Sequence, residues 1–111
     1  MTKTYIIDQK RWASLSIFEQ MGNIYSEVGR SFSAKSCNNI ADRDAAIYRA
    51  IDLFNATIDS QIAAKSPKSR EILRSKEQFL DIINDDDATS DSIQSLDRYF
   101  MQFAIAARLK R

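Results

Sequence analysis

Apolar residues recur at intervals of three and four through most of the chain, and this spacing predicts amphipathic helices. At about 100° per residue, the apolar side chains of four successive stretches each fall on one helical face. The four faces contain Ile17, Met21, Ile24, Val28 and Phe32; then Ile47, Ile51, Phe54, Ile58 and Ile62; then Ile72, Phe79 and Ile83; and finally Ile93, Leu96, Phe100, Phe103 and Ala107.

Helix-start signals precede these stretches. Ser16 with Glu19 three residues later has the spacing of a capping box. The second helix is expected over residues 40–62. Ser66 can cap the third, with Pro67 in its first position, where a missing N–H group is no loss. Thr89 or Ser90 can cap the fourth.

The chain contains only two glycines and one proline. A many-stranded sheet requires more of these residues at its turns, so we expect an all-α fold.

The chain organisation follows from the short connections between these helices. Sequential helices joined by short loops become neighbours, which predicts an antiparallel up-and-down four-helix bundle over residues 16–111. A chain of 111 residues can bury one core of this kind. The stretch "TYIID" is short and partly β-branched, so residues 1–15 are expected to form an extended segment. Trp12 and Leu15 are expected to fold back as a hydrophobic cap on the bundle.

Small residues form a strip on the first predicted helix. Gly22, Ser26 and Gly29 lie close together on a helical projection, and each glycine destabilises a helix by about 1 kcal/mol relative to alanine. Close approach of another helix, from the same bundle or from a second subunit, would offset that loss. The alternative is that these are tolerated surface positions.

A second apolar line runs along the fourth predicted helix, on a different side from its core face. It contains Met101, Ile105 and Leu109. Either this helix is central to its own bundle, or the line is a contact between subunits, since small monomers seldom expose such a strip. Because closed twofold pairs are the commonest oligomers, we expect a homodimer.

A row of polar residues accompanies the small residues of the first helix. It contains Gln20, Asn23, Glu27 and Arg30. Lys76 on the third helix has inward-facing neighbours, and an unpaired buried charge is very costly. We predict that Glu27 pairs with Lys76 and that the row and the lysine form a seam for a ligand or partner. The alternative is a surface lysine lying along a groove between helices.

Candidate catalytic chemistry is scarce. The chain has no histidine, which removes the usual general base, and Cys37 lies in a polar stretch without an obvious base. Glycine-rich phosphate loops are absent, and the first and third helices lack the paired E-x-x-E carboxylates that hold Mg²⁺ in all-α nucleotide hydrolases. The acidic loop 85–87 lacks EF-hand spacing and is expected to be a solvated connection. We expect no catalytic residue, metal or cofactor.

Charge and hydropathy bear on the partners. Sixteen basic and fifteen acidic residues give a net charge of +1, so any nucleic-acid binding must be local. The residues that could contact phosphates are Lys68, Arg70, Arg74, Arg108 and Lys110. No apolar run is long enough to span a membrane, no signal-peptide pattern is present, and a single cysteine suits a reducing compartment. A cytoplasmic protein without membrane contact is expected.

Several stretches resemble a group of short, uncharacterised helical proteins of bacteria and archaea. They are "WASLSIFEQMGNIYSEVGR", "RAIDLFNATID", "EILRSKE" and "YFMQFAIAAR", which together span most of the chain. In the second of these stretches, "RAIDLFNATID", Asn55 and Ala56 occupy the positions where the proteins of that group have Asp and Leu. The resemblance implies that these polar positions deserve notice: Glu19, Gln20, Asn23, Ser26, Glu27, Arg30, Arg49, Arg74, Lys76, Glu77 and Arg108.

Together these features favour a non-enzymatic helical interaction or adaptor module that self-associates and binds a protein partner of unknown identity. A nucleic-acid-binding accessory protein is the first alternative, because of the basic residues at the start of the third helix and the end of the fourth. A nucleotide- or metal-dependent hydrolase is the second.

Overall fold

The structure, a computed structural model, describes residues 7–109, which contain five α-helices and no strand. They are α1 (Gln9–Ser14), α2 (Ile17–Ser36), α3 (Ile40–Ala63), α4 (Ser69–Ile83) and α5 (Ser90–Leu109). The all-α prediction is confirmed, and α2 to α5 correspond to the four helices expected from the apolar spacing. No helix among the described residues combines the length and hydropathy needed to cross a membrane.

The N-terminal region differs from the prediction. Residues 9–14 form α1 rather than an extended segment, because the side chain of Asp8 accepts a hydrogen bond from the Arg11 backbone N–H (3.1 Å) and caps the helix. Trp12 is buried, and its Nε1–H donates to Thr57 Oγ1 of α3 at 3.0 Å. Leu15 packs against the core beside it. Residues 1–6, which include most of "TYIID", lie outside the described residues.

The other helix starts agree with the sequence signals in most cases. Both hydrogen bonds of the Ser16–Glu19 capping box are present, each 3.1 Å long. Thr89 Oγ1 accepts from the Ser92 backbone N–H and so serves as the cap of α5. The start of α4 was predicted too early: the helix begins at Ser69 without a side-chain cap. Ser66 instead accepts from the backbone N–H of Lys68, two residues on, as in a turn.

The core is organised around α2, which packs mainly against α3 and α5. Phe54 of α3, Phe79 of α4 and Phe100 of α5 are fully buried. The ring centroid of Phe54 lies 6.2 Å from that of Phe79 and 5.9 Å from that of Phe100, so one aromatic cluster joins three helices. The radius of gyration, 13.9 Å, is close to the value of about 13 Å expected for a compact chain of this length.

Candidate functional site

A buried carboxylate lies between two arginines that come from two packed helices. Glu27, near the middle of α2, is only 5% exposed. Its Oε1 accepts a hydrogen bond from Nη1 of Arg30 on the same helix, and its Oε2 accepts from Nε of Arg49 on α3. Removing a carboxylate from water costs several kcal/mol unless it is paired, and these two bonds provide the pairing. The three side chains together carry one surplus positive charge.

The helices position this group through their ordinary geometry. Glu27 and Arg30 are three residues apart and therefore neighbours on one helical face. Arg49 is adjacent in sequence to Ala50, which is fully buried, and its helix packs directly against α2. The prediction of the seam included Glu27 and Arg30 but not Arg49. Arg49 is among the polar positions that the family resemblance implies, but the spacing of the apolar residues does not indicate that it pairs with Glu27.

A pocket of ≈ 390 Å³ opens beside the two arginines, between the end of α2 and the start of α3. Its lining residues are Arg30, Ser33, Ala34, Cys37, Asn39, Asp42, Ala45 and Arg49. Asn39 and Asp42 are already engaged at the start of α3. The Asp42 backbone N–H donates to Asn39 Oδ1 at 3.1 Å, and Asn39 Nδ2 donates to the Asp42 carboxylate at 2.7 Å.

Lys76 does not pair with Glu27, so that prediction was wrong. Its Nζ donates to Asn55 Oδ1 of α3 at 2.9 Å, while Glu27 is occupied by Arg30 and Arg49. The physical reason is the packing of α4, which lies mainly against α3 and meets α2 at few points. A side chain from the middle of α4 therefore reaches α3 first.

Gln20 and Asn23 also stand apart from the arginine pocket. Gln20 is buried, and its Nε2 donates to the Trp12 backbone carbonyl at 2.8 Å, which ties α1 to α2. Its Oε1 has no hydrogen-bond partner among residues 7–109. Asn23 is exposed and donates to the Glu19 carbonyl one turn earlier, at 2.9 Å. Of the predicted seam, the structure brings together only Glu27 and Arg30.

The small-residue strip divides into two parts. A Cβ atom at Gly22 would lie 3.5 Å from the Ala104 Cα, an ordinary van der Waals distance, so the helix that packs on this glycine is α5 of the same chain. A Cβ atom at Gly29 would meet nothing within 4 Å. Ser26 is exposed, with its hydroxyl 3.4 Å from the Gly22 carbonyl oxygen. Ser26 and Gly29 are therefore both exposed on the surface of the single chain.

The second apolar line of α5 is not covered by the described residues of its own chain. Met101 is 37% exposed, Ile105 49% and Leu109 80%. The opposite face of the same helix holds the buried Leu96 and Phe100. We refer to Met101, Ile105 and Leu109 as the α5 strip.

The basic residues lie on the surface. Arg70, Arg74 and Arg108 are exposed, and Lys110 lies outside the described residues. Lys68 Nζ is 5.9 Å from the ring centroid of Phe18, close to the start of α2. Ala104 of α5, four residues before Arg108, lies against Gly22 in the first half of α2.

The acidic loop lies near the end of α2. Lys35 Nζ donates to the backbone carbonyls of Ile83 and Asp85, at 2.7 and 3.1 Å. Residues 7–109 contain no group of three or more acidic, cysteine or histidine residues placed to hold a metal ion.

Two tyrosines donate hydrogen bonds to carboxylates across helix pairs. Tyr99 of α5 donates to Glu71 Oε1 of α4 at 3.0 Å, and burial, that bond and the charge of Glu71 raise the Tyr99 pKa. Tyr25 of α2 donates to Asp97 Oδ1 of α5, also at 3.0 Å, and its pKa is raised by burial and by Asp97. Tyr99 also borders an open groove of ≈ 490 Å³ between α4 and α5.

Two features thus stand out as candidates for function: the arginine pocket at Glu27 and the exposed α5 strip. Comparison of the chain with protein-family models, with curated proteins and with solved structures finds no match.

Proposed function

We propose that the protein is a non-enzymatic helical interaction module of the cytoplasm that self-associates through the α5 strip. The observation that carries this proposal is the exposure of Met101, Ile105 and Leu109 in line along one side of α5. Apolar surface removed from water contributes about 25 cal/mol per Å², so covering this line is favourable. A second copy of the chain offers an identical strip, which a twofold axis brings into contact with the first.

The neighbouring face of α2 extends the proposed interface. A stable interface buries about 800 Å² on each partner, which is more than three side chains provide. Ser26 lies one turn after Gly22 on α2, and Met101 lies about one turn before Ala104 on α5. Because Gly22 and Ala104 are in contact, we infer that Ser26 borders the Met101 end of the strip, where its small side chain allows a partner helix to come near.

The antiparallel four-helix bundle is part of the same proposal. Gly22 lies opposite Ala104, and Tyr25, further along α2, reaches Asp97, which precedes Ala104 on α5. These two contacts support opposite directions for α2 and α5. The sequential pairs α2 with α3 and α3 with α4 also pack directly, as an up-and-down order requires.

The test is the molar mass of the protein in solution, measured by light scattering. Self-association predicts a mass that is a multiple of the single-chain mass, and replacement of Ile105 by a charged residue is expected to return the mass to that of one chain. A single-chain mass for the unaltered protein at high concentration would refute the proposal.

Nucleic-acid binding is the second candidate, and one observation favours it. Lys68 lies near Phe18 at the start of α2, and Arg70 is two residues further along the chain. The antiparallel arrangement proposed above places Arg108 at the same end of the molecule. Basic groups collected at one end can contact successive phosphates although the net charge is only +1. A gel shift with generic RNA or DNA that weakens with salt and is lost in Lys68→Gln/Arg108→Gln would support this function. No shift at low salt would eliminate it.

A further inference from the structure

The structure assigns a second site to this protein: we propose that the pocket beside Arg30 and Arg49 binds a small molecule through an oxyanion group, a phosphate or a carboxylate. The proposal does not depend on self-association, because all the residues involved belong to one chain. It draws on three observations: the unused N–H groups of the two arginines, the fixed position of the two guanidinium groups, and the composition of the pocket.

The unused N–H groups of the cluster favour an anion. Glu27 compensates one of the two arginines, and one positive charge remains. An arginine carries five N–H donors, and Arg30 and Arg49 each use a single nitrogen on Glu27. Their other guanidinium nitrogens form no hydrogen bond with residues 7–109. Planar, forked N–H groups of this kind match phosphate and carboxylate oxygens better than any other common ligand group.

The buried carboxylate also fixes the two arginines in place. Glu27 lies in the core-facing part of α2, and its two oxygens hold guanidinium groups from two different helices. An arginine held in this way loses less side-chain freedom when a ligand binds, so more of the interaction energy appears as affinity. The side chain of Arg49 is only 35% exposed, and reduced contact with water strengthens its attraction to an anion.

The rest of the lining is compatible with a small ligand. Ser33 and the exposed Cys37 come from the end of α2, and Asn39 and Asp42 from the start of α3. Asp42 is the acidic residue of this lining, and its carboxylate accepts from the Asn39 amide in the first turn of α3, where the helix dipole stabilises a negative charge. With Asp42 counted, the lining and Glu27 together have no surplus charge, so an anion would be held by the unused N–H groups of Arg30 and Arg49 rather than by the net charge of the pocket. The volume of ≈ 390 Å³ lies within the usual range of about 300–1,000 Å³ for small-molecule pockets.

The single cysteine of the chain provides a direct reporter, since Cys37 lines the pocket and is exposed. The experiment measures the rate at which uncharged iodoacetamide alkylates Cys37 in the full-length protein as inorganic phosphate or succinate is added, with sodium chloride at equal ionic strength as reference. We expect a saturable, several-fold decrease in rate with at least one of the two anions. The anion that protects identifies the ligand group as phosphate or carboxylate.

Two variants locate the effect. Arg30→Gln removes an exposed guanidinium and leaves Arg49 on Glu27, so the fold is retained and protection should be lost. Lys65→Gln removes a charge from the loop between α3 and α4, outside the pocket lining, and should leave protection unchanged. Arg49→Lys keeps a positive charge near Glu27 without the fork and should weaken protection in a protein whose circular dichroism is unaltered. No protection beyond the chloride reference, or equal protection in Arg30→Gln, would overturn the proposal.

Discussion

Arg49 of α3 donates its Nε–H to Oε2 of the buried Glu27 on α2. Through this bond α3 supplies a positive charge that compensates the carboxylate buried on α2. Arg30 donates to the other oxygen of the same carboxylate. The two arginines therefore share one task, and the loss of either leaves Glu27 with a partner.

The stability losses of Arg30→Ala and Arg49→Met should be strongly non-additive. Arg30 is 65% exposed, so its removal should lower the free energy of unfolding by at most about 1 kcal/mol. The double variant leaves a buried carboxylate unpaired and should lose about 3–5 kcal/mol, more than the sum of the single variants. Urea denaturation of all four proteins measures the coupling. Additivity within about 0.5 kcal/mol would show that Glu27 does not depend on the pair.

The two glycines of α2 should respond in opposite directions to a larger side chain. Gly29 has open space, so Gly29→Ala should raise the free energy of unfolding by about 1 kcal/mol through helix propensity. At Gly22 the Ala104 backbone is already near, and Gly22→Val should destabilise by about 1–3 kcal/mol through overpacking. Gly29→Val is the matched control for the β-branched side chain. Equal stability of the two valine variants would contradict the close approach of α5.

The sequence predicted features that depend on neighbouring residues of the chain better than features that depend on how two helices pack. The Ser16–Glu19 capping box lies within four residues of chain, and it was read correctly. The partner of Lys76 depends on which helix α4 packs against, and nothing in the spacing of apolar residues distinguishes α3 from α2. The bond between Arg49 and Glu27 likewise depends on how α3 packs against α2, which the spacing of apolar residues does not show.

The short helix α1 shows a different kind of failure. Six residues are too few to produce a periodic apolar pattern, so periodicity could not indicate it. Its stability comes instead from the Asp8 cap and from tertiary contacts of Trp12 with Thr57 and Gln20. The last two partners lie 45 and 8 residues away in the chain.

Stability should fall at alkaline pH in a way that depends on Tyr99. Burial, its hydrogen bond to Glu71 and the Glu71 charge raise its pKa in the folded chain above the ordinary 10.0. The unfolded chain therefore loses this proton first, so the stabilisation is complete below about pH 10 and is lost as pH rises beyond it.

The free energy of unfolding, measured between about pH 8 and about pH 11, tests this dependence. Tyr99→Phe lacks the hydrogen bond and should be less stable at pH 8, but its stability should decline less steeply above pH 10. The variant is compared with the unaltered protein at each pH, because lysines titrate in the same range and contribute equally to the stability change of both proteins. An identical decline in the two proteins would rule out a raised Tyr99 pKa.

Ile105→Glu should separate the proposed dimer without unfolding the chain. Ile105 is half exposed, so a charge there is solvated in the single chain but buried without a partner in the interface. Ile62→Glu is the matched control, because Ile62 is 60% exposed near the end of α3 and lies outside the α5 strip. We expect Ile105→Glu to weaken association by at least tenfold and Ile62→Glu to leave it unchanged. Dissociation by both variants alike would place the interface elsewhere.

The most direct test of self-association is the molar mass of the unaltered protein, measured by light scattering over a concentration series from micromolar to submillimolar. Association through the α5 strip predicts a mass that rises to twice that of one chain and stays there, since a twofold interface closes on itself. In the same series Ile105→Glu should keep the mass of a single chain. An unaltered protein that keeps the single-chain mass at the highest concentration would contradict the account.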